Sequence, residues 1–404
     1  MNRKKFSAVF TAGAMALSLF TACGTENDNA ATDSTDTQAQ TTQAAEEAVS
    51  VKDTHTNDEI RDITAAELVS EMKIGWNLGN TLDATNNSGS ATEPSQFETA
   101  WGNPVTSKAM IDVVKDAGFN VLRVPVTWEQ HLGEGPDYTI DEAWLDRVQE
   151  VVNYGIDNDM FVILNIHHEE WHMPTYDNLD AATEELTAVW TQIADRFGGY
   201  DEHLIFEGMN EPRLKGTPLE WNGGDEEARD CINQLNAAFV STIRASGKNN
   251  DKRSLMIPTY AASSDQKVLD DFVVPEDDRV IVSIHAYTPY NFALADKGAA
   301  EWSADNSSDT NDIDLVFARL KDKFLDKGIP VVIGEFGSRD RFNLEARCAH
   351  ATYYVSKAKE YGVPCVWWDN GAFVGNGENF GLLVRNELRW HDREIIDALM
   401  KGLE

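Results

Sequence analysis

Eight short apolar runs recur along this chain, most of them β-branched, and between them lie amphipathic stretches of helical pattern. The runs are Lys73–Leu78, Asn120–Pro125, Phe161–Ile166, Leu204–Met209, Ser254–Pro258, Val280–Ile284, Val331–Gly334 and Pro364–Trp368. They have too few polar positions to leave one face in water, so they read as parallel strands covered on both sides. Helical patterns between them include Asp141–Tyr154, Thr183–Phe197, Glu226–Ala245, Ile313–Lys327 and Glu345–Tyr361. Eight β-then-α units predict an α/β fold, a (β/α)8 TIM barrel over residues 61–404. An open doubly wound sheet is the rival, but no G-x-G-x-x-G follows the first run.

A barrel of this kind places its chemistry at the C-terminal ends of the strands. Polar residues do gather there. Run two ends in Arg123, run three in Asn165-Ile166-His167-His168-Glu169, and run four in Asn210-Glu211-Pro212. Run six ends in His285-Ala286-Tyr287, run seven in Glu335-Phe336-Gly337, and run eight in Trp367-Trp368-Asp369-Asn370. Solvation alone does not explain this repetition. Glu211 and Glu335 follow runs four and seven, so a closed barrel would let them face each other across its mouth. Two facing carboxyl groups suit glycosidic hydrolysis: one protonates the leaving oxygen, and the other attacks or activates water. Taken singly, either glutamate could be a structural ion-pair partner.

Asn210-Glu211-Pro212 and Gly334-Glu335-Phe336-Gly337 resemble the signatures of glycoside hydrolase family 5, the cellulase family. Gly75-Trp76-Asn77-Leu78-Gly79-Asn80-Thr81-Leu82-Asp83-Ala84, the Asn165–Glu169 segment and Trp367-Trp368-Asp369-Asn370-Gly371 resemble its subfamily 4, which contains endoglucanases, xyloglucanases and mixed-linkage glucanases. The resemblance implies a retaining endo-β-1,4-glucanase with Glu335 as nucleophile and Glu211 as acid/base. It further implies that Asn210 donates to the sugar 2-hydroxyl, that Arg123 orients the nucleophile, and that Tyr287 donates to the same carboxylate. His167 or His168, with His285, would line the −1 sugar site, Trp368 would stack under that sugar, and Asn80 would reach a distal one. The negative charge nearby should raise the pKa of Glu211. Trp76 and Trp101 read equally well as sugar platforms or as packed residues.

The first 23 residues have the order of an export signal: Arg3, Lys4 and Lys5, an apolar stretch from Phe6 to Phe20, then small residues before Cys23. Small residues before a Cys-Gly pair resemble a bacterial lipoprotein processing site, which would leave Cys23 lipidated. Phe20 departs from that pattern, which usually has Leu there. An ordinary cleaved signal is the alternative. Residues 24–60 are rich in Thr, Ala, Asp, Gln and Glu and hold no aromatic residue, so they read as a disordered acidic linker.

The formal net charge of −34 argues against nucleic acid and anionic membranes as partners, and leaves a neutral polysaccharide open. Membrane association is expected only through the lipid, and the protein is expected to be a monomer. The His167-His168 pair could hold a metal, but the sequence offers no third ligand, so no metal and no cofactor are expected. Cys231, Cys348 and Cys365 are too scattered for a disulfide framework, and Cys365 reads as a small core residue. Competing readings are a mannanase or xylanase on the same scaffold, and a non-catalytic carbohydrate-binding surface lipoprotein. The carboxylate pair with Asn210 and Arg123 beside it weighs against the last.

Overall fold

The computed structural model describes residues 50–404 apart from Asn376. The expected signal segment, Cys23 and the linker up to residue 49 lie outside these residues. The core is a closed barrel of eight parallel strands in sequential order. They are β1 (Ile74–Leu78), β2 (Val121–Val124), β3 (Phe161–Asn165), β4 (Leu204–Glu207), β5 (Leu255–Pro258), β6 (Val280–His285), β7 (Val331–Phe336) and β8 (Cys365–Asp369). α1 (Ala65–Glu71) precedes β1, and α2 (Pro94–Glu98) and α3 (Lys108–Asp116) follow it. α4 (Glu142–Ile156), α5 (Tyr176–Arg196), α6 (Glu226–Ala245) and α7 (Gln266–Asp271) each follow the next strand in turn. α8 (Tyr290–Ala293) and α9 (Ser307–Lys323) follow β6, α10 (Leu344–Tyr361) follows β7, and α11 (Arg393–Lys401) ends the chain. Between β8 and α11 a short antiparallel pair, β9 (Leu383–Val384) and β10 (Arg389–Trp390), folds back.

Strand alternation sorts the residues into two cores. Outward positions such as Trp76, Leu122, Val162, Phe206 and Trp367 belong to the large apolar layer under the helices. Inward positions start with a second apolar cluster containing Val121, Phe161, Ile163, Ile205, Met256, Ile281, Val332 and Val366. α1 closes the N-terminal mouth by packing Ala65, Leu68, Val69 and Met72 into that cluster. Its start is fixed by a capping box, in which Glu67 N–H donates to Thr64 Oγ1 at 3.2 Å and Thr64 N–H to the Glu67 carboxylate at 2.8 Å. Two residues further along β2, β4 and β6 the same inward face carries Arg123, Glu207 and Ser283, all fully buried. The barrel is therefore apolar at its base and polar beneath its C-terminal mouth.

The expected linker over 24–60 runs too far. Residues 51–53 form a turn of 3-10 helix, and Asp58 N–H donates to Gly199 O at 2.8 Å. Asn249 Nδ2 donates to Asp58 O, Asn153 Nδ2 donates to Thr54 Oγ1, each at 2.9 Å, and the His55 ring packs 5.0 Å from Tyr200. Polar composition hid these contacts, because they are hydrogen bonds to helix ends and loops rather than apolar burial.

Candidate active site

The two glutamates meet. The nearest carboxylate oxygens of Glu211 and Glu335 and a ring nitrogen of His285 lie within 4.8 Å of one another. Glu335 lies one residue before the end of β7, and each of its oxygens has a donor: Arg123 Nη1 at 2.8 Å to Oε1, and the Tyr287 hydroxyl at 2.7 Å to Oε2. Burial and the charge of Glu335 push the Tyr287 phenol well above its ordinary value, so it stays a donor. His285 Nδ1 lies 2.8 Å from Glu211 Oε1 and 3.6 Å from Glu335 Oε2, placing the imidazole between the two carboxylates.

Glu211 departs from expectation. Burial pushes its carboxyl up, but the hydrogen bond from His285 and the charges of His285, Arg213 and His168 outweigh it. The group sits below its ordinary value rather than above it. Sequence exposes the negative neighbour, whereas the hydrogen bond from His285 forms only when the barrel folds.

Arg123 organises the floor of the site. Besides Glu335, its guanidinium donates to Asn77 Oδ1 (2.9 Å), Asn210 Oδ1 (2.8 Å) and Glu207 Oε2 (2.7 Å). The bond to Asn210 fixes its amide orientation, with the oxygen on the guanidinium side. Asn77 is held in turn by donating from Nδ2 to Gly334 O at 2.9 Å.

The histidine pair divides. His167 is buried, with Nδ1 3.0 Å from Asn165 Nδ2 and its ring parallel to Trp368 within 1° at 5.7 Å. His168 is partly exposed, lies 5.5 Å from the Trp101 ring and has Nε2 3.8 Å from Asp83. Neither provides the imidazole against Glu211; that is His285. The third ligand that the sequence did not reveal is Asp83, whose carboxylate shares one cluster with both histidines. Its two oxygens already accept the amides of Asn80 (3.0 Å) and Thr81 (2.6 Å).

Strand parity decides between the adjacent tryptophans. Trp367 points outward into the helix layer and donates to Phe380 O at 3.1 Å, while Trp368 points inward beside His167. Gly79 makes room for it, since a Cβ there would fall 2.9 Å from the Trp368 ring. Trp76 is fully buried and donates to Asp369 at 2.9 Å, whereas Trp101 is 43% exposed at the mouth. Among the described residues Asn80 enters through its backbone, donating to Asp83 and accepting from Asn103.

Sequence reasoning missed Glu207, Asn77 and Arg213. Glu207 was findable as a lone carboxylate inside the apolar run Leu204–Met209, two residues from an inward isoleucine. Arg213 was not. It reaches back to Glu211 (2.9 Å to the carbonyl, 3.5 Å to the carboxylate), pairs with Glu220 at 3.1 Å and lies 4.1 Å from the centre of the exposed Trp221 ring.

A parallel eight-stranded barrel with a facing glutamate pair, each carboxylate held by its own donors, defines a glycoside hydrolase. The chain belongs to glycosyl hydrolase family 5: the profile described as Cellulase (glycosyl hydrolase family 5) matches residues 85–374. It is 48% identical over 413 residues to Endoglucanase B of Ruminococcus albus, covering 100% of this chain and 98% of that one. Among solved structures, a GH5-4 broad specificity endoglucanase from Ruminococcus champanellensis with bound cellotriose is 53% identical with a TM-score of 0.83, over 85% of this chain and all of that one. A GH5 xyloglucan-specific endo-beta-1,4-glucanase from a metagenomic library, in complex with cellotriose, is 45% identical with a TM-score of 0.79, over 83% of this chain and 98% of that one.

Proposed function

We propose that this chain is an endo-β-1,4-glucanase that acts by double displacement, with Glu335 as nucleophile and Glu211 as acid/base. The single observation that carries the reading is the convergence of the pair on one imidazole, His285 Nδ1 lying 2.8 Å from Glu211 Oε1 and 3.6 Å from Glu335 Oε2. Inverting enzymes hold their carboxyl groups about 6.5–9.5 Å apart to admit a water, and retaining ones about 5–5.5 Å apart. Glu335 attacks the anomeric carbon while Glu211 protonates the departing oxygen. Water, deprotonated by Glu211, then displaces the Glu335 ester from the opposite face, the one the leaving group vacated, so the configuration is retained. Asn210, with its oxygen engaged by Arg123, keeps its amide hydrogens for the 2-hydroxyl. Trp368 and His167 form the apolar and polar walls of the −1 site. A bound sugar deepens the burial of Glu211, the influence that raises its affinity for a proton, and so arms it as the acid.

The substrates are cellulose-like chains, xyloglucan and mixed-linkage β-glucan; relatives named as broad-specificity and xyloglucan-specific enzymes support that breadth. The enzyme works as an exported monomer, held at the extracellular face of the cell membrane by a lipid on Cys23, or secreted if Cys23 is not lipidated. Equal fatty-acid label on wild type and Cys23→Ala would refute the anchor.

Azide separates the two catalytic roles. Glu211→Ala should still react with an activated aryl cellobioside, stall as glycosyl-enzyme, and yield the β-glycosyl azide. Glu335→Ala lacks the attacking group and should yield the α-azide. Proton NMR of the first sugar released by wild type should show the β-anomer. An initial α-anomer, or exchanged azide products, would overturn the mechanism or the roles.

A further inference from the structure

Glu207 is a carboxylate with no access to substrate and no place in the two-step reaction, yet it is the last residue of β4. It is fully buried. Arg123 Nε donates to its Oε2 at 2.7 Å, Asn165 Nδ2 to the same oxygen at 3.1 Å, and Ser283 Oγ to Oε1 at 2.6 Å. Arg123 is also fully buried and bridges Glu207 to Glu335. The guanidinium thus carries one positive charge against two buried carboxylates, one of which changes charge during the reaction.

Resting on the proposed roles of Glu335 and Glu211, we infer that Glu207 is a positioning residue that tunes the nucleophile through Arg123. It shares the charge of Arg123 in the free enzyme and keeps that charge paired in the glycosyl-enzyme. The balance follows from the chemistry. In glycosylation a Glu335 oxygen bonds to the anomeric carbon as the bond to the leaving oxygen breaks. That oxygen keeps the electron pair and takes the proton of Glu211. Glu335 becomes a neutral ester. Arg123 would then be a buried cation without a partner, a costly state, were Glu207 not beside it. In the second step a water oxygen bonds to the same carbon, its proton passes to Glu211, and the ester pair returns to Glu335. Before attack, Glu207 also draws on the guanidinium, so Arg123 pulls less electron density from Glu335 than an Arg with one partner would. Other charged or titratable groups face Glu335 from other elements: His285 from β6, Tyr287 just after β6, Glu211 after β4, and Glu378 after β8. Of the five, Glu207 alone is joined to Glu335 through Arg123 and out of reach of sugar.

The test is Glu207→Gln, which keeps size and can still accept from Arg123. Its kcat/KM for 2,4-dinitrophenyl β-cellobioside, which reports glycosylation, is expected to fall by on the order of 10- to 100-fold. The acid limb of that profile should move to lower pH by roughly one unit. The glycosyl-enzyme, left with an unpaired Arg123, should accumulate less in a pre-steady-state burst. Lost rate with an unmoved acid limb and an unchanged burst would show Glu207 to be merely structural and overturn the inference. Wild-type kcat/KM in the variant would overturn it as well. Ser283→Ala removes one donor to Glu207 and throws more of its charge onto Arg123, so its acid limb should move to higher pH. If Glu207→Gln does not fold, this variant decides, and an unmoved limb refutes the coupling. Labelling wild type with a 2-deoxy-2-fluoro cellobioside and mapping the peptide tests the underlying reading separately. A label on a residue other than Glu335 would sink that reading itself, and the inference with it.

Discussion

At the residue scale, His285 joins the two halves of the mechanism. Its Nδ1 contacts Glu211 at 2.8 Å, and with Arg213 and His168 it holds that carboxyl below the ordinary value against a burial effect of opposite sign. Removing the imidazole leaves burial less opposed, so Glu211 should bind its proton more tightly. The basic limb of kcat/KM in His285→Ala should therefore move to higher pH by about one unit, with a fall in rate. A basic limb that stays in place would mean that His285 does not govern the acid/base.

At the scale of elements, the segment before α1 belongs to the barrel domain. Thr54, His55 and Asp58 tie residues 50–60 to the ends of α4 and α5 and to the loop after α6. Lys52 pairs with Glu142 at the start of α4. The approach is close enough to require glycine at 199, where a Cβ would sit 2.2 Å from Thr56 O. A chain starting at residue 61 loses at least three hydrogen bonds relative to one starting at residue 50. At roughly 1 kcal/mol per bond, its Tm should be lower by several degrees, about 3 °C or more. Equal melting curves for the two chains would show that the segment adds nothing. Gly199→Ala should reproduce much of the loss in the longer chain and little in the shorter one.

At the scale of the whole molecule, stability should depend on keeping buried histidines neutral. Burial pulls His131 and His350 down to about 4. His131 stacks on Trp144 at 3.7 Å and 7°, with an acidic neighbour, Asp141, raising it only partly. A depressed folded value means that the unfolded chain binds the proton first. The stabilisation is complete above about 6.5, the unfolded value, and is lost as pH falls toward 4. Buried acids act the other way: burial pushes Asp83 up to about 6 and Glu169 up to about 8, so their contribution fades as pH rises through those values. A difference measurement isolates the histidine. His131→Phe keeps a ring against Trp144, so its Tm should drop less than that of wild type between pH 7 and pH 5. Each pH unit crossed is worth at most about 1.4 kcal/mol for one group. An identical drop in the two proteins would refute the assignment.

Much of this was legible in the chain itself. All eight strands lie where apolar β-branched runs predict them, within one residue at each end except β4, which stops two earlier than its run, and β7, which continues two residues past its run to Phe336. Local pattern sufficed because strands covered on both faces must be apolar and short. Placing Glu211 and Glu335 at strand ends was also enough to bring them together, since closure of a sequentially ordered barrel leaves those ends only one mouth to share. What required the tertiary structure was everything set by which side chains point inward and by what else arrives there. Two adjacent histidines and two adjacent tryptophans look alike in sequence, and only the register of β3 and β8 separates the wall of the site from its surroundings. The hydrogen bond from His285 to Glu211, the third group beside His167 and His168, and the shared guanidinium between Glu207 and Glu335 come from residues tens to hundreds of positions apart. Electrostatic and hydrogen-bond energies depend on distances of a few ångströms, and sequence separation says nothing about those until the barrel closes.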